Sequence, residues 1–388
     1  MRDALLDRRS DRLDLDFILP DRAIDIARAV SVCHAAGFVV LDQAREIARV
    51  VFPSATVDFA LQEGCSLEAD LQRRDFTVNA IAYDPRTSTF IDPLDGRADL
   101  KRKHLRMISA ENLYDDPLRL LRAYRQAAQL GFEIDHDTRA AIRRLAPELS
   151  RVAAERICAE LGYVLASSGG TVWLGRAIAD GLLQIHLPSA TPDRVAHLTA
   201  IDQAVAVIQD RDPALYTTIT TPLRPTITTT LIAIAKLTAL ISEDREQAEQ
   251  ELKALKFSKL EWRSILDLQA ALDPMSDTAT VRLRSVRDLF FWFKGLGETF
   301  PAWCVAAIAS GVEWEAIAGL LTMYRTPEHP IAHPLPFVDG KTLVAALDLP
   351  RGPIVGELLA ELAIARAEGK VSTEAEAIQL APEFMQRR

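Results

Sequence analysis

The chain has little cysteine: four residues in 388 (Cys33, Cys65, Cys158, Cys304), far apart and without a CxxC spacing. That excludes a disulfide scaffold and points to reduced thiols in a cytoplasmic protein. Long apolar runs are also missing. The longest, such as 302–312, are too short or too broken to span a bilayer, so no membrane role is expected. The N-terminus carries no signal-peptide pattern. No segment repeats at a fixed period. Of the seven histidines only His136 is followed by Asp, so an HD-type phosphohydrolase domain is not expected. Positive charge is in deficit, with 45 Lys and Arg against 54 Asp and Glu. What remains is a globular composition, 49 % apolar and 26 % charged, long enough for two to four domains at roughly 100–200 residues each.

The deficit of positive charge is uneven. Residues 97–156 hold 13 Lys and Arg against 9 Asp and Glu, a local +4 within an overall −9. The other residues therefore carry −13, and a polyanion partner stays open for the basic stretch.

The first hundred residues read as mixed α/β. Residues 13–19 alternate as a half-buried strand does. A helical pattern over 24–36 precedes Gly37, and 38–41, 47–52 and 56–61 read as short strands. A helix is expected over 66–72, helix or strand over 75–83, and a strand over 89–92. Beyond Leu105 the pattern is helical: 117–129 closed by Gly131, then 137–145, 153–166, 172–183, 194–210, 231–240, 245–255, 259–272 and 281–294. Residues 167–170 read as a boundary, and 216–230, rich in Thr and Pro, as a loop or irregular helix start. Ser276-Asp277 and 327–336 read as linkers.

Asp14 and Asp16 are the first chemical feature. A strand has a side-chain period of two, so both carboxylates share a face, away from Leu15 and Phe17. Their repulsion is offset well by Mg²⁺, which takes hard oxygen ligands; a solvated strand edge is the plain alternative. Asp58 stands opposite the apolar Val57, Phe59 and Leu61, available as a third carboxylate or as a surface residue. Arg73-Arg74-Asp75-Phe76-Thr77-Val78-Asn79 supplies donors for phosphate and sugar hydroxyls, or simply a charged helix start. Gly96, in 92–106, allows a tight turn or hairpin before a basic segment. In Asp115-Asp116-Pro117-Leu118-Arg119-Leu120-Leu121-Arg122, Asp116 is a natural N-cap and Pro117 a natural first residue. Capping does not require two arginines, and Asp116, Arg119 and Arg122 share a face that could pair with a base edge.

In this order, the segments DLDF, RRDFTVNA, the set Asp92, Gly96, Asp99, Leu100 and Arg106, DDPLRLLR, and Arg151 with Glu155 resemble the class II tRNA nucleotidyltransferase and bacterial poly(A) polymerase family, cyanobacterial type. Residues 336–377 resemble the family's tail. The resemblance implies an α+β fold: an N-terminal nucleotidyltransferase head with a small mixed β-sheet (1–107), then an all-α neck (108–168), body (169–275) and tRNA-binding tail (276–388). It implies nucleotidyl transfer from CTP, with ATP as a further substrate, to the 3′ end of tRNA through two Mg²⁺ ions held by Asp14 and Asp16; Asp58 stays a candidate third metal ligand from its place on the strand, outside what the resemblance implies. It places Arg2, Arg74, Arg119 and Arg122 on the nucleotide, Asp75 and Asn79 on the ribose side, and Asp116 with Arg119 on the base. The loop 351–353 then offers a helix N-terminus to a phosphate, or a plain cap.

Three departures stand out. The family has two glycines just before the segment matched by residues 2–6, and this chain starts inside that motif, so a late start or a truncation is expected. Asp115 replaces the usual Glu. Only twelve residues separate Ala60 from Arg73, whereas many CCA-adding relatives carry a longer flexible loop there and the CC-adding subgroup is short. A poly(A) polymerase, whose basic C-terminal extension 357–376 does not match, and a catalytically impaired tRNA-binding protein are the other readings.

Overall fold

A computed structural model describes the chain apart from residues 9–12, 168, 226, 273–283, 336, 351 and 387–388. It forms two compact units, Met1–Ile185 and His186–Arg388. The linker expected at Ser276-Asp277 and the residues Ser168, Pro336 and Arg351 lie outside the described residues.

In the first unit a short helix α1 (Arg2–Leu5) precedes the alternating segment, which forms strand β1 (Leu13–Leu19). Three more strands follow: β2 (Gly37–Asp42), β3 (Ile47–Val51) and β4 (Ala55–Leu61). The sheet order is β1-β4-β3-β2, with β1 parallel to β4 and the other pairs antiparallel. One face is apolar. Ala48, Val50, Val57 and Phe59 pack under helix α2 (Ala23–Cys33) through Ala23, Ile24 and Ala27. Burial of this face fixes the register, because a slip of one residue would send it to the solvent side. Among the described residues β1 is an edge strand. Its Leu13, Leu15 and Phe17 remain 60 %, 43 % and 44 % exposed, though the Phe17 ring stacks on Phe59.

Helix α3 (Leu67–Gln72) is capped by Ser66, whose hydroxyl accepts from the Ala69 amide. The next segment, expected as helix or strand, is an extended piece with a 3-10 turn at Thr77–Asn79. It leads to a hairpin of β5 (Ala82–Asp84) and β6 (Thr89–Ile91). Gly96 corrects one expectation. It makes neither a tight turn nor a hairpin but starts helix α4 (Gly96–Arg102). The Asp92 carboxylate accepts from the amides of Gly96 (2.7 Å) and Arg97 (2.9 Å). A Cβ at position 96 would stand 2.2 Å from the Thr77 carbonyl oxygen, so close approach, not a positive φ, demands glycine here.

Strand β7 (His104–Leu105) pairs with β8 (Glu133–Ile134). Between them lie α5 (Ala110–Asp115) and α6 (Leu118–Leu130), the latter closed by Gly131 at φ 66°. Asp116 is not the cap of α6. That helix starts behind Pro117 with no side-chain cap, and the Asp116 carboxylate instead accepts from Arg156 Nη2 at 3.3 Å. Helices α7 (His136–Leu145), α8 (Ala154–Ala166) and α9 (Gly170–Ala179) complete the unit.

The second unit is mainly helical: α10 (Pro192–Arg211), α11 (Pro213–Thr220), α12 (Leu231–Leu240), α13 (Arg245–Ala254) and α14 (Lys259–Leu272). Then come α15 (Val286–Leu296), α16 (Phe300–Ala309), α17 (Trp314–Arg325), α18 (Gly340–Leu347), α19 (Pro353–Ala367) and α20 (Glu374–Gln386). The apolar run at 302–312 is core, with Trp303, Cys304 and Val305 fully buried. No helix among the described residues is long and apolar enough to cross a membrane. The stretch 216–230 is not a loop. It finishes α11 and then forms an antiparallel hairpin of β9 (Pro222–Arg224) and β10 (Ile227–Thr230). β-branched threonines suit strands, and Thr230 caps α12 by accepting from the Ala233 amide.

Asp180, just past α9, ties three helices of the first unit together. Its side chain is fully buried and accepts from Tyr124 Oη (2.5 Å), Arg139 Nε (2.7 Å) and Arg143 Nε (2.6 Å). Burial pushes its carboxyl up, but these donors outweigh burial and hold it below the ordinary value. A depressed carboxyl contributes stability above its unfolded pKa, and that contribution is lost as pH falls through the folded value. Asp180→Asn should therefore cost about 3 kcal/mol at neutral pH. In thermal unfolding followed by circular dichroism, the gap to wild type should close below about pH 4.

Candidate active site

The polar face of the sheet carries a row of charges. In-register residues of neighbouring strands share a face. Asp14 stands beside Thr56, Asp16 beside Asp58, and Asp58 beside Arg49. Asp14 is held by Thr56, whose hydroxyl donates to Oδ1 at 2.6 Å. Asp16 has no hydrogen bond or ion pair among the described residues. Partial burial, then the charges of Asp14 and Asp58, push its carboxyl up. Two adjacent hard-oxygen groups, one without a partner, fit a divalent cation. Asp58 lies on the expected face, but both its oxygens are engaged by Arg49: Nε to Oδ1 and Nη2 to Oδ2, each 2.7 Å. Among the described residues no group of three or more His, Cys, Asp or Glu side chains is arranged to hold a metal.

A second cluster joins the arginine motif to α6. Asp75 is 5 % exposed. Its Oδ1 accepts from the Phe76 amide and from Asn79 Nδ2, both at 2.8 Å. Its Oδ2 accepts from Arg122 Nε (3.0 Å) and Nη2 (2.8 Å). Burial raises the Asp75 carboxyl, but the Arg122 charge and these hydrogen bonds prevail and hold it low. Asn79 turns its oxygen to Arg2 Nη1 at 2.8 Å. Buried Gln126 completes the group. Its Oε1 accepts from Asn79 Nδ2 (2.9 Å) and Arg2 Nη1 (3.3 Å).

Arg74 Nη1 donates to the Asn79 carbonyl at 3.2 Å, while its buried Nε, 3.5 Å from Asp70 Oδ1, has no hydrogen-bond partner among the described residues. Arg119 Nη1 donates to the carbonyls of Arg73 and Asn112, each at 2.9 Å. Its Nε and Nη2 have no hydrogen-bond partner among the described residues. Asn112 in turn donates to the carbonyls of Gln72 and Arg74. Thr77 Oγ1 and Arg106 Nε both donate to buried Asp99, at 2.7 and 2.9 Å.

Arg2, Arg74, Asp75, Asn79 and Arg122 are thus brought together. Asp116, Arg119 and Arg122 are not a mutually paired triad: each holds a different partner. Arg49, Asn112 and Gln126 were missed by sequence reasoning. Gln126 has one signal, a polar residue four places after Arg122 on the buried side of an amphipathic helix.

This fold and site define a nucleotidyltransferase head with a helical extension, and the comparisons narrow the class. Family models match residues 1–106 (poly A polymerase head domain), 131–193 (probable RNA and SrmB-binding site of polymerase A) and 226–381 (tRNA nucleotidyltransferase domain 2, putative). A CC-adding tRNA nucleotidyltransferase of Synechocystis is 46 % identical, over 99 % of this chain and 92 % of the relative. A CC-adding enzyme of Geobacter sulfurreducens is 32 % identical, over 97 % and 88 %. An A-adding enzyme of Deinococcus radiodurans is also 32 % identical, over 94 % and 89 %. A CCA-adding enzyme solved with CTP shares the fold, with a TM-score of 0.71 at 20 % identity over 99 % of this chain and 89 % of that one. The chain belongs to the tRNA nucleotidyltransferase and poly(A) polymerase family, and it is a nucleotidyltransferase.

The Asp75–Arg122 pair gives a stability test. Arg122→Met leaves a buried carboxylate unpaired and should cost about 3–5 kcal/mol. Adding Asp75→Asn should recover part of that loss. Thermal melts of both variants measure the coupling.

Proposed function

We propose that this enzyme adds cytidines from CTP to the 3′ end of tRNA, stopping at two, with Mg²⁺ as the cofactor. The observation that carries this reading is the 46 % identity to a CC-adding enzyme across nearly the whole chain. The A-adding relative at 32 % has less support. The link after β4 agrees with it. Residues 62–66 form a short connection, pinned by the Glu63 amide donating to Asp70 Oδ2 at 2.9 Å and by an ion pair between Arg73 and Glu63. A short, fastened link matches the CC-adding pattern, where many CCA-adding relatives carry a longer loop.

In this reading Asp14 and Asp16 hold the metal. When bound, Mg²⁺ supplies charge stabilisation at the attacking 3′ hydroxyl and at the leaving pyrophosphate. Arg2 and Arg74 face the triphosphate. Asn79, oriented by Asp75 and Gln126, faces the ribose. Asp75 acts mainly by holding Arg122 and Asn79, since its own acceptors are filled. Arg119, steadied on two carbonyls, offers its remaining donors to the base beside Asp116. A polar site of this kind rejects a mismatched base because its own groups would then lie unpaired. The basic stretch at 97–156 and the C-terminal helices meet the tRNA backbone, with salt-dependent affinity. The division into head, neck, body and tail belongs to the same proposal.

The assay is incorporation of labelled CTP and ATP into tRNA lacking its CCA end, with Mg²⁺, by the chain as it stands and with two glycines added before Met1. Two cytidines and no adenosine are expected. Addition of A after CC would make it a CCA-adding enzyme, A-tails on generic RNA a polymerase, and binding without incorporation an impaired protein. Asp14→Asn and Asp16→Asn, both exposed, should each lower turnover by at least about a hundredfold without changing the melt.

A further inference from the structure

The charge row on the sheet has four members, and the proposed chemistry uses two. Asp14 and Asp16 lie on β1, Asp58 is in register with Asp16 on β4, and Arg49 is in register with Asp58 on β3. Three carboxylates on adjacent strands would ordinarily form one cation site, and a third carboxylate would tighten it, since affinity for a hard cation rises with ligand charge count. Here the third is occupied by the protein's own cation. Arg49 grips Asp58 through two parallel bonds of 2.7 Å, the fork geometry that makes an arginine–carboxylate pair strong and directional. Asp58 is mostly shielded, at 18 % side-chain exposure, and Arg49 is at 38 %. A point-charge lysine would not hold both oxygens.

We infer that Arg49 is a metal-affinity determinant that withholds Asp58 from the cation site, leaving a two-carboxylate site of deliberately moderate affinity. This rests on the reading that Asp14 and Asp16 hold the metal. Arg49 acts through Asp58 and is a positioning residue. The pair holds both Asp58 oxygens on Arg49. Asp14 and Asp16 alone would hold a cation less tightly than three carboxylates would, leaving it room for the oxygens of a triphosphate.

The test is Mn²⁺ binding to the nucleotide-free enzyme, followed by water-proton relaxation, in wild type, Arg49→Met, the double variant Arg49→Met/Asp58→Asn, and Asp16→Asn. Freeing Asp58 by Arg49→Met should tighten Mn²⁺ binding by about tenfold. The double variant, which removes both members of the neutral pair, should return to within about twofold of wild type. The inference is overturned if Arg49→Met binds no more tightly. It is also overturned if the double variant binds much more weakly than wild type, since Asp58 would then be a ligand despite Arg49. If Arg49→Met does not fold, the double variant, with no unpaired charge, still decides. Asp16→Asn separates the two levels: unchanged binding there removes the metal pair itself, whereas lost binding beside an unresponsive Arg49→Met removes only the part assigned to Arg49.

Discussion

The first unit depends on one buried ion pair. Asp75 sits in an irregular segment with little secondary structure to hold it, and Arg122 sits on the regular helix α6. Coulombic attraction and two hydrogen bonds between them outweigh the cost of burying a carboxylate, as the lowered carboxyl of Asp75 reflects. Through that pair a rigid helix dictates where the extended segment runs. Asn79 donates to the same carboxylate, and Arg2 and Gln126 assemble around Asn79.

A second set of contacts gives this cluster a floor. Gly96 lets α4 rest directly on the Thr77 carbonyl, and Asp99 binds Thr77 and Arg106 from beneath. Segments some twenty residues apart are thereby joined. The sheet contributes differently. Its apolar face is fixed by α2, so its opposite face can display unpaired charge at low conformational cost. The carboxylates and the arginines of the proposed site therefore come from two separately stabilised pieces of the same unit.

Much of this was legible in the linear chain. The period-two alternation of Leu13 to Phe17 placed Asp14 and Asp16 on one face, as found. Gly131 marked the end of α6. What escaped was whatever required a partner from elsewhere. Asp116 has every local property of a helix cap, yet Arg156, forty residues on, claims its carboxylate. Gly96 reads locally as a turn residue, whereas its function is clearance for a carbonyl nineteen residues earlier. Asp58 reads as a free carboxylate until strand register sets Arg49 beside it. The threonines of 217–230 are ambiguous between loop and strand because a hairpin so short carries almost no periodicity. For Asp116, Gly96 and Asp58 the deciding contact comes from a segment remote in sequence, which local propensity does not register.

Strand β1 has one more consequence, and it concerns solubility. An edge strand with exposed Leu13, Leu15 and Phe17 is a template for pairing with another molecule. The alternating Asp14 and Asp16 supply the like-charge repulsion that discourages such pairing. On the proposed assignment, the two residues that hold the cation also act as gatekeepers against self-association. Colloidal stability of the protein is thereby tied to Asp14 and Asp16.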